Sequence, residues 1–253
     1  VVQFAITLSG KTTIYNPARE PEVVDLCNFL NAMGAKIVGA GTKKITIYGV
    51  DSLNGAQYKP IKDRIVAGTI MVATAITKGS VTIIDGCAKE NKSLIKILSS
   101  MGCQIDIKND IINVSREGEL KNTNIVTGYF PKFPTDLQSI MLPLLCLAEV
   151  ESKVKEKVFE NRFLMVKELN RMGANITLFD AQTALVRGST ALRGRTVKAT
   201  DLRGGAGLVV AGLVAKGKTI VSDVHYIDRG YDHIENMLFS LGADIRRVCQ
   251  KQK

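Results

Sequence analysis

Tryptophan is absent from this 253-residue sequence, and histidine occurs only twice, as His225 and His233. The five cysteines (Cys27, Cys87, Cys103, Cys146, Cys249) form no CxxC pair, so with two histidines they cannot build a zinc centre at any usual spacing. No metal and no cofactor is therefore expected. An odd number of scattered cysteines fits a reducing compartment, and a cytoplasmic location is expected. Aromatic residues make up only 6%, and the lysines are not interleaved with them, which argues against a stacking surface for single-stranded nucleic acid. No apolar run approaches the ~18 residues a membrane span requires. Residues 1–10 are apolar but lack a basic leader and a small-residue cleavage site, so they do not read as a signal peptide. There is no P-loop, no GxGxxG after a strand and no HExxH.

What is present is the composition of a packed protein. At 45% hydrophobic and 23% charged, disorder is excluded as the main state. The length accommodates one large domain or two smaller ones. A net charge of +10 favours an anionic partner, nucleic acid or a phosphorylated small molecule, without choosing between them.

An internal repeat organises the chain. The motif (Met/Leu)-Gly-x-x-Ile begins at Met33, Met101, Met172 and Leu241, at separations of 68, 71 and 69 residues. A second landmark, an apolar helix ending in glycine before a β-branched strand, occurs at Gly10, Gly79 and Gly217, at one and then two such periods. Near Glu149 the layout continues without the glycine. Each unit reads α-β-α-β-β. The first helices (64–77, 138–148, 203–215) are apolar nearly all round and belong inside a body. The second (22–33, 91–101, 163–172, 232–241) are amphipathic and lie outside, with glycine where a left-handed C-cap is wanted. Two short strands close the unit, as in 104–108 and 111–115 around Asn109-Asp110. Small residues (Ala67, Gly68, Gly204, Gly205, Ala206, Gly207) would let the buried helices approach closely. The fold expected is α/β (α+β), pseudo-symmetric repeats of about 69 residues with buried helices surrounded by sheets and amphipathic helices. Residues 1–8 correspond to the end of a buried helix, so the chain is expected to be the C-terminal part of a longer protein.

Three buried helices are preceded by aspartate: Asp63, Asp136 and Asp201. Each reads first as an N-cap. Together, equivalent helices starting at a common end would also form a donor-rich face suited to phosphate. Arg64 and Arg203 follow two of these aspartates, while Arg19, Arg162 and Arg229 fall at the starts of second helices. A lone arginine is normally a solvated surface residue, but recurrence at one end of successive units suggests a clamp for phosphate and carboxylate. Cys27, Cys103 and Cys146 read as small core residues, Cys87 as a loop residue without a histidine partner, and the histidines as structural.

The stretches AREPE (18–22), FPTDLQ (133–138), FENRF (159–163), ATDLR (199–203) and DRGY (228–231) resemble the UDP-N-acetylglucosamine 1-carboxyvinyltransferases, a family of enolpyruvyl transferases, along essentially the whole chain. The resemblance implies six repeat units in two domains. Residues 1–61 would be the last unit of the first domain, and 62–253 the second domain of three units. It implies transfer of the enolpyruvyl group of phosphoenolpyruvate to the 3′-hydroxyl of UDP-N-acetylglucosamine. Asp136 would be the base or orienting group at that hydroxyl. The backbone at Val158 would meet the uridine-sugar ligand, and Arg162, Arg203 and Arg229 would hold phosphoenolpyruvate. Asp136, Arg203 and Arg229 are thus the catalytic candidates, and Val158, Arg162 and Arg64 complete the substrate-binding set. The family's Lys-Asn pair, catalytic cysteine loop and that loop's arginine would precede Val1, in a missing N-terminal part. The segment alone is therefore expected to be inactive, with small-molecule substrates but no nucleic-acid or membrane partner for the whole protein. The alternatives are the shikimate-pathway enolpyruvyl transferase, which shares the architecture, and a non-catalytic anion- or nucleic-acid-binding module.

Overall fold

A computed structural model describes residues 1–248, which divide into two compact units: Val1–Asp63 with Tyr129–Lys132, and Arg64–Gly128 with the chain from Phe133 onward. Cys249 lies outside the described residues.

The first unit runs α1 (Val2–Ala5), β1 (Lys11–Tyr15), α2 (Pro21–Ala32), β2 (Lys36–Val38) and β3 (Lys44–Tyr48). The strands form one antiparallel sheet in the order β1-β3-β2. β3 is the central strand, and Ile45 and Ile47 are fully buried in it beside Cys27 and Leu30 of α2. Glu20, at the start of α2, accepts the Phe130 N–H through Oε1 at 3.3 Å, which ties the 129–132 excursion to this unit.

The second unit holds three copies of the repeat. The first copy contains α3 (Arg64–Ile76), β4 (Ser80–Ile83), α4 (Lys92–Ser100), β5 (Gln104–Lys108) and β6 (Ile111–Ser115). The second adds a leading strand: β7 (Ile125–Val126), α5 (Thr135–Cys146), β8 (Ser152–Lys155), α6 (Val166–Arg171), β9 (Asn175–Asp180) and β10 (Thr183–Arg187). The third contains β11 (Thr196–Lys198), α7 (Leu202–Gly212), β12 (Ile220–Ser222), a 3-10 helix (Val224–Arg229) and α8 (Ile234–Ser240). The sheets are β4-β6-β5, β7-β8-β10-β9 and β11-β12.

Apolar residues on every face make α3, α5 and α7 the core. All of α3 but Val66 is buried, as is every α5 residue from Leu137 on. Their close approach depends on small side chains. A Cβ at Gly207 of α7 would stand 2.6 Å from the Ser139 carbonyl oxygen of α5. The amphipathic helices all stop alike. Gly34, Gly102, Gly173 and Gly242 take φ of 102, 102, 96 and 95°. The N–H of the next residue then bonds back to Leu30, Leu98, Leu169 or Leu238, satisfying a terminal carbonyl.

Two expectations need correction. Among the described residues the third copy shows no closing hairpin: residues 243–248 carry no strand, and 249–253 lie outside the described residues. A strand exists only when paired, and among the described residues β12 is bonded to β11 alone, in a parallel ladder. A cavity of about 1180 Å³, lined in part by Val221, Leu238 and Ile245, lies between β12 and that segment. Second, α6 begins at Val166 rather than near Phe163, because residues 160–165 turn instead.

Candidate active site

The candidate site forms where α5 and α7 begin. At α5 the N-cap position is Pro134, in extended conformation, so Thr135 and Asp136 lie inside the first turn. The expectation that Asp136 caps the helix is therefore corrected. A carboxylate in a first turn is still favoured by the free N–H groups there, but its oxygens turn to two cations. Oδ1 accepts from Arg162 Nη2 at 3.0 Å, and Oδ2 from Arg203 Nη2 at 2.9 Å. Asp136 keeps 35% of its side chain exposed, against 7% for Arg162 and 13% for Arg203. The carboxylate is thus the solvent-facing member of a largely buried charge cluster.

Each arginine is braced from behind. The Arg162 guanidinium lies 4.1 Å from the centre of the Phe159 ring, and its Nε donates to Thr135 Oγ1 at 3.2 Å. The Arg203 guanidinium lies 5.5 Å from the Tyr231 ring. The Thr69 hydroxyl donates to the Ile65 carbonyl, so Tyr231 is the donor in the 2.8 Å bond between the two hydroxyls. Burial opposes the charge on Arg203, but the Tyr231 oxygen and the Asp136 carboxylate outweigh it and hold its pKa above the ordinary arginine value. Arg203 Nη1 is buried and has no hydrogen-bond partner among the described residues. Such an atom is a donor suited to a ligand oxygen.

Asp201 does cap its helix. Its Oδ1 accepts the backbone N–H groups of Arg203 and Gly204 at 3.0 and 2.9 Å. Those N–H groups are consequently not open to phosphate, which corrects the expectation that all the helix starts present free donors. At α7 the cation is the Arg203 side chain, not the helix end.

Arg229 does not start a second helix. It ends the 3-10 helix, exposed, and α8 begins at Ile234. The following Gly230 abuts the cluster: a Cβ there would lie 3.4 Å from Arg203 Nη1. Arg64 opens α3, 7% exposed, and its carbonyl accepts Asn91 Nδ2 at 2.9 Å. Val158 is half-buried, and its N–H is committed to Glu156 Oε1 at 2.8 Å. Side-chain hydrogen bonds therefore join Asp136, Arg162 and Arg203, and Arg229 follows in the adjoining turn.

Glu156 was not singled out in the sequence, yet it is the most heavily bonded acid of the site. It is 1% exposed and accepts four hydrogen bonds. A signal existed: Ser152, Val154 and Glu156 alternate inward while Lys153, Lys155 and Lys157 face solvent. Tyr231 lies in the DRGY stretch without being singled out there, and Thr69 gave no comparable signal.

Among the described residues the cysteines offer no nucleophile. Cys27, Cys87, Cys103 and Cys146 are buried and free, and burial pushes the Cys103 thiol up to about 11 and Cys146 up to about 12. His225 stacks at 4.2 Å on Tyr226, and His233 Nδ1 lies 3.1 Å from Glu235 Oε1. Among the described residues no acid, histidine and cysteine group has the layout of a metal site, and no helix is long and apolar enough to cross a membrane.

The sequence profile of EPSP synthase (3-phosphoshikimate 1-carboxyvinyltransferase) matches residues 2–238. The chain belongs to this family. Among its curated relatives are UDP-N-acetylglucosamine 1-carboxyvinyltransferase 1 of Clostridium perfringens, 52% identical over 98% of the chain, and UDP-N-acetylglucosamine 1-carboxyvinyltransferase of Halothermothrix orenii, 51% identical over 96%. The chain spans 59% and 58% of those two proteins. Of solved structures, the enolpyruvyl transferase NikO from Streptomyces tendae superposes with a TM-score of 0.86 at 28% identity, covering 96% of this chain and 58% of that one. EPSP synthase from Acinetobacter baumannii shares the fold, with a TM-score of 0.73 at 19% identity over 99% of this chain and 60% of that one.

Proposed function

We propose that the full-length protein transfers the enolpyruvyl group of phosphoenolpyruvate to the 3′-hydroxyl of UDP-N-acetylglucosamine, the first committed step of peptidoglycan synthesis. It would thereby serve cell-wall biogenesis, cell shape and division from the cytoplasm. The observation that carries this reading is the Asp136 carboxylate held between Arg162 and Arg203, in a chain half identical to relatives named for that reaction.

In the proposed chemistry the sugar hydroxyl oxygen bonds to C2 of phosphoenolpyruvate, the hydroxyl loses its proton and C3 gains one. The C2–O bond to phosphate then breaks, C3 releases a proton, and inorganic phosphate leaves. Phosphoenolpyruvate carries a phosphate and a carboxylate, so it competes with Asp136 for the same guanidinium groups. Asp136, released from them, orients or takes the hydroxyl proton. Arg162, Arg203 and Arg229 hold the charge that develops, Arg64 adds to the positive field, and the Val158 carbonyl is left to meet the uridine-sugar ligand. Fixed cations in a water-poor site stabilise such charge better than water does. No described cysteine is suited to protonate C3; that task falls to the family's cysteine loop, in the upstream part of the full-length protein.

The test is phosphate release by the full-length protein. Asp136→Ala is expected to lower turnover by at least about a hundredfold, in the range of lost acid–base and positioning contributions, with its thermal melt unchanged. Turnover within about threefold of the native rate would remove Asp136 from the reaction. Offering 3-phosphoshikimate beside UDP-N-acetylglucosamine decides the acceptor, and the sugar nucleotide is expected to be consumed.

A further inference from the structure

We infer that Glu156 is a positioning residue that fixes the direction of the Thr135 hydroxyl and, through it, the plane of the Arg162 guanidinium. The residue follows β8 and is 1% exposed. Its Oε1 accepts from Thr127 Oγ1 at 2.7 Å, from the Val158 N–H at 2.8 Å and from the Phe159 N–H at 2.9 Å. Its Oε2 accepts from Thr135 Oγ1 at 3.0 Å. A buried carboxylate is tolerated when donors fill its lone pairs, and here four do so.

The consequence follows from the proton count of one hydroxyl. Thr135 has a single O–H proton, and Glu156 Oε2 claims it. The oxygen of Thr135 therefore turns a lone pair to Arg162 Nε–H, 3.2 Å away. Arg162 is thus pinned at Nε by Thr135 and at Nη2 by Asp136, while its face rests on Phe159. The Phe159 backbone is itself held by Glu156. Two routes, one through Thr135 and one through Phe159, lead from the same carboxylate to the same cation. That three-sided grip leaves Arg162 little freedom to tilt as an anion approaches.

Glu156→Gln separates the two routes. The amide oxygen is retained at the position serving three donors, so the NH₂ group must face Thr135. The Thr135 oxygen then meets a donor on each side, and its own proton loses its acceptor. The second lone pair of that oxygen can still accept from Arg162 Nε–H, but nothing now fixes which way the hydroxyl turns, so this anchor weakens while the Phe159 segment stays in place. Thr135→Val removes the same link from the other end, and Thr135→Ser retains it.

The experiment uses full-length protein and reads hydrogen exchange at the Arg162 Nε–H by NMR, with the resonance assigned by its loss in Arg162→Lys. Thr135→Val is expected to speed that exchange by about tenfold, the loss of one charge-assisted hydrogen bond, and Glu156→Gln by a smaller factor, because the Thr135 oxygen is kept but no longer oriented. Thr135→Ser should match the native protein, and the double variant should exchange no faster than the quicker single one. In kinetics, Glu156→Gln should raise KM for phosphoenolpyruvate more than it lowers kcat. If Glu156→Gln fails to fold, the split between Thr135→Val and Thr135→Ser decides alone. Native exchange in Thr135→Val, or additive effects in the double variant, would overturn the inference. Only the kinetic arm rests on the proposed enolpyruvyl transfer. A full-length protein without that activity would refute the function and leave the exchange measurement to judge Glu156.

Discussion

At the scale of the residue, the arrangement turns on which groups share protons and charge. Arg247 donates to Asp228 at 2.6 and 2.9 Å and contacts Glu235 at 2.8 Å, just beside Arg229. The Arg247 hydrogen bond is the main cause that holds the Asp228 pKa below its ordinary value. Burial would raise Glu235, but backbone and Arg247 hydrogen bonds prevail and lower it too. Carboxylates lowered in the folded state add stability that is present above the unfolded pKa, near 4, and is lost as pH falls through the folded value. Acidification below about pH 4 should therefore weaken the second unit. Arg247→Ala should flatten that dependence in urea titrations repeated across pH; an unchanged slope would show that the cluster adds nothing. Of the candidate residues, those carried by short motifs were legible in the sequence: Asp136, Arg162 and Arg203 stand in FPTDLQ, FENRF and ATDLR. Their mutual bonding was not legible, because 26 and 67 residues separate Asp136 from its two partners and only the fold brings them together. Glu156 was hidden by its neighbours, since a glutamate among three lysines reads as a solvated strand edge until the inward alternation is followed.

At the scale of the element, the repeat period and the apolar helices made most of the architecture readable. Strands β5 and β6 fall at the expected residues, and Asn109 and Asp110 both take positive φ, 49 and 62°, as a tight hairpin turn asks. The 3-10 helix over Val224–Arg229 was not readable. Its sequence VHYIDR has no helical period, and its position is decided by Ile227, whose Cγ1 would lie 2.7 Å from a Cβ on Gly205 of α7. Packing between buried helices makes a graded expectation. Gly207→Ala would drive its Cβ into the Ser139 backbone oxygen at 2.6 Å, whereas Gly68→Ala would meet Leu137 Cδ1 at 2.8 Å, a side-chain atom that can turn aside. Gly207→Ala should thus cost about 2–3 kcal/mol and Gly68→Ala about 1 kcal/mol or less, measured by urea unfolding of the chain. The reverse order would show that α5 and α7 do not approach as closely as described.

At the scale of the whole molecule, the second and third copies of the motif bring Arg162 and Arg203 to one carboxylate where α5 and α7 begin. The sequence periods showed the spacing of the copies, but not that Asp136 would bridge an arginine of its own copy and one of the next. That bridge makes Asp136 an internal competitor for the anion the site is proposed to receive. Its removal should have opposite effects on binding and on chemistry. The most direct measurement is calorimetric titration of the full-length protein with phosphoenolpyruvate, native against Asp136→Asn. With the competing charge gone and the shape kept, affinity is expected to rise by about tenfold, the scale of one charge-assisted contact, even though phosphate release falls. Weaker binding by Asp136→Asn would contradict the clamp.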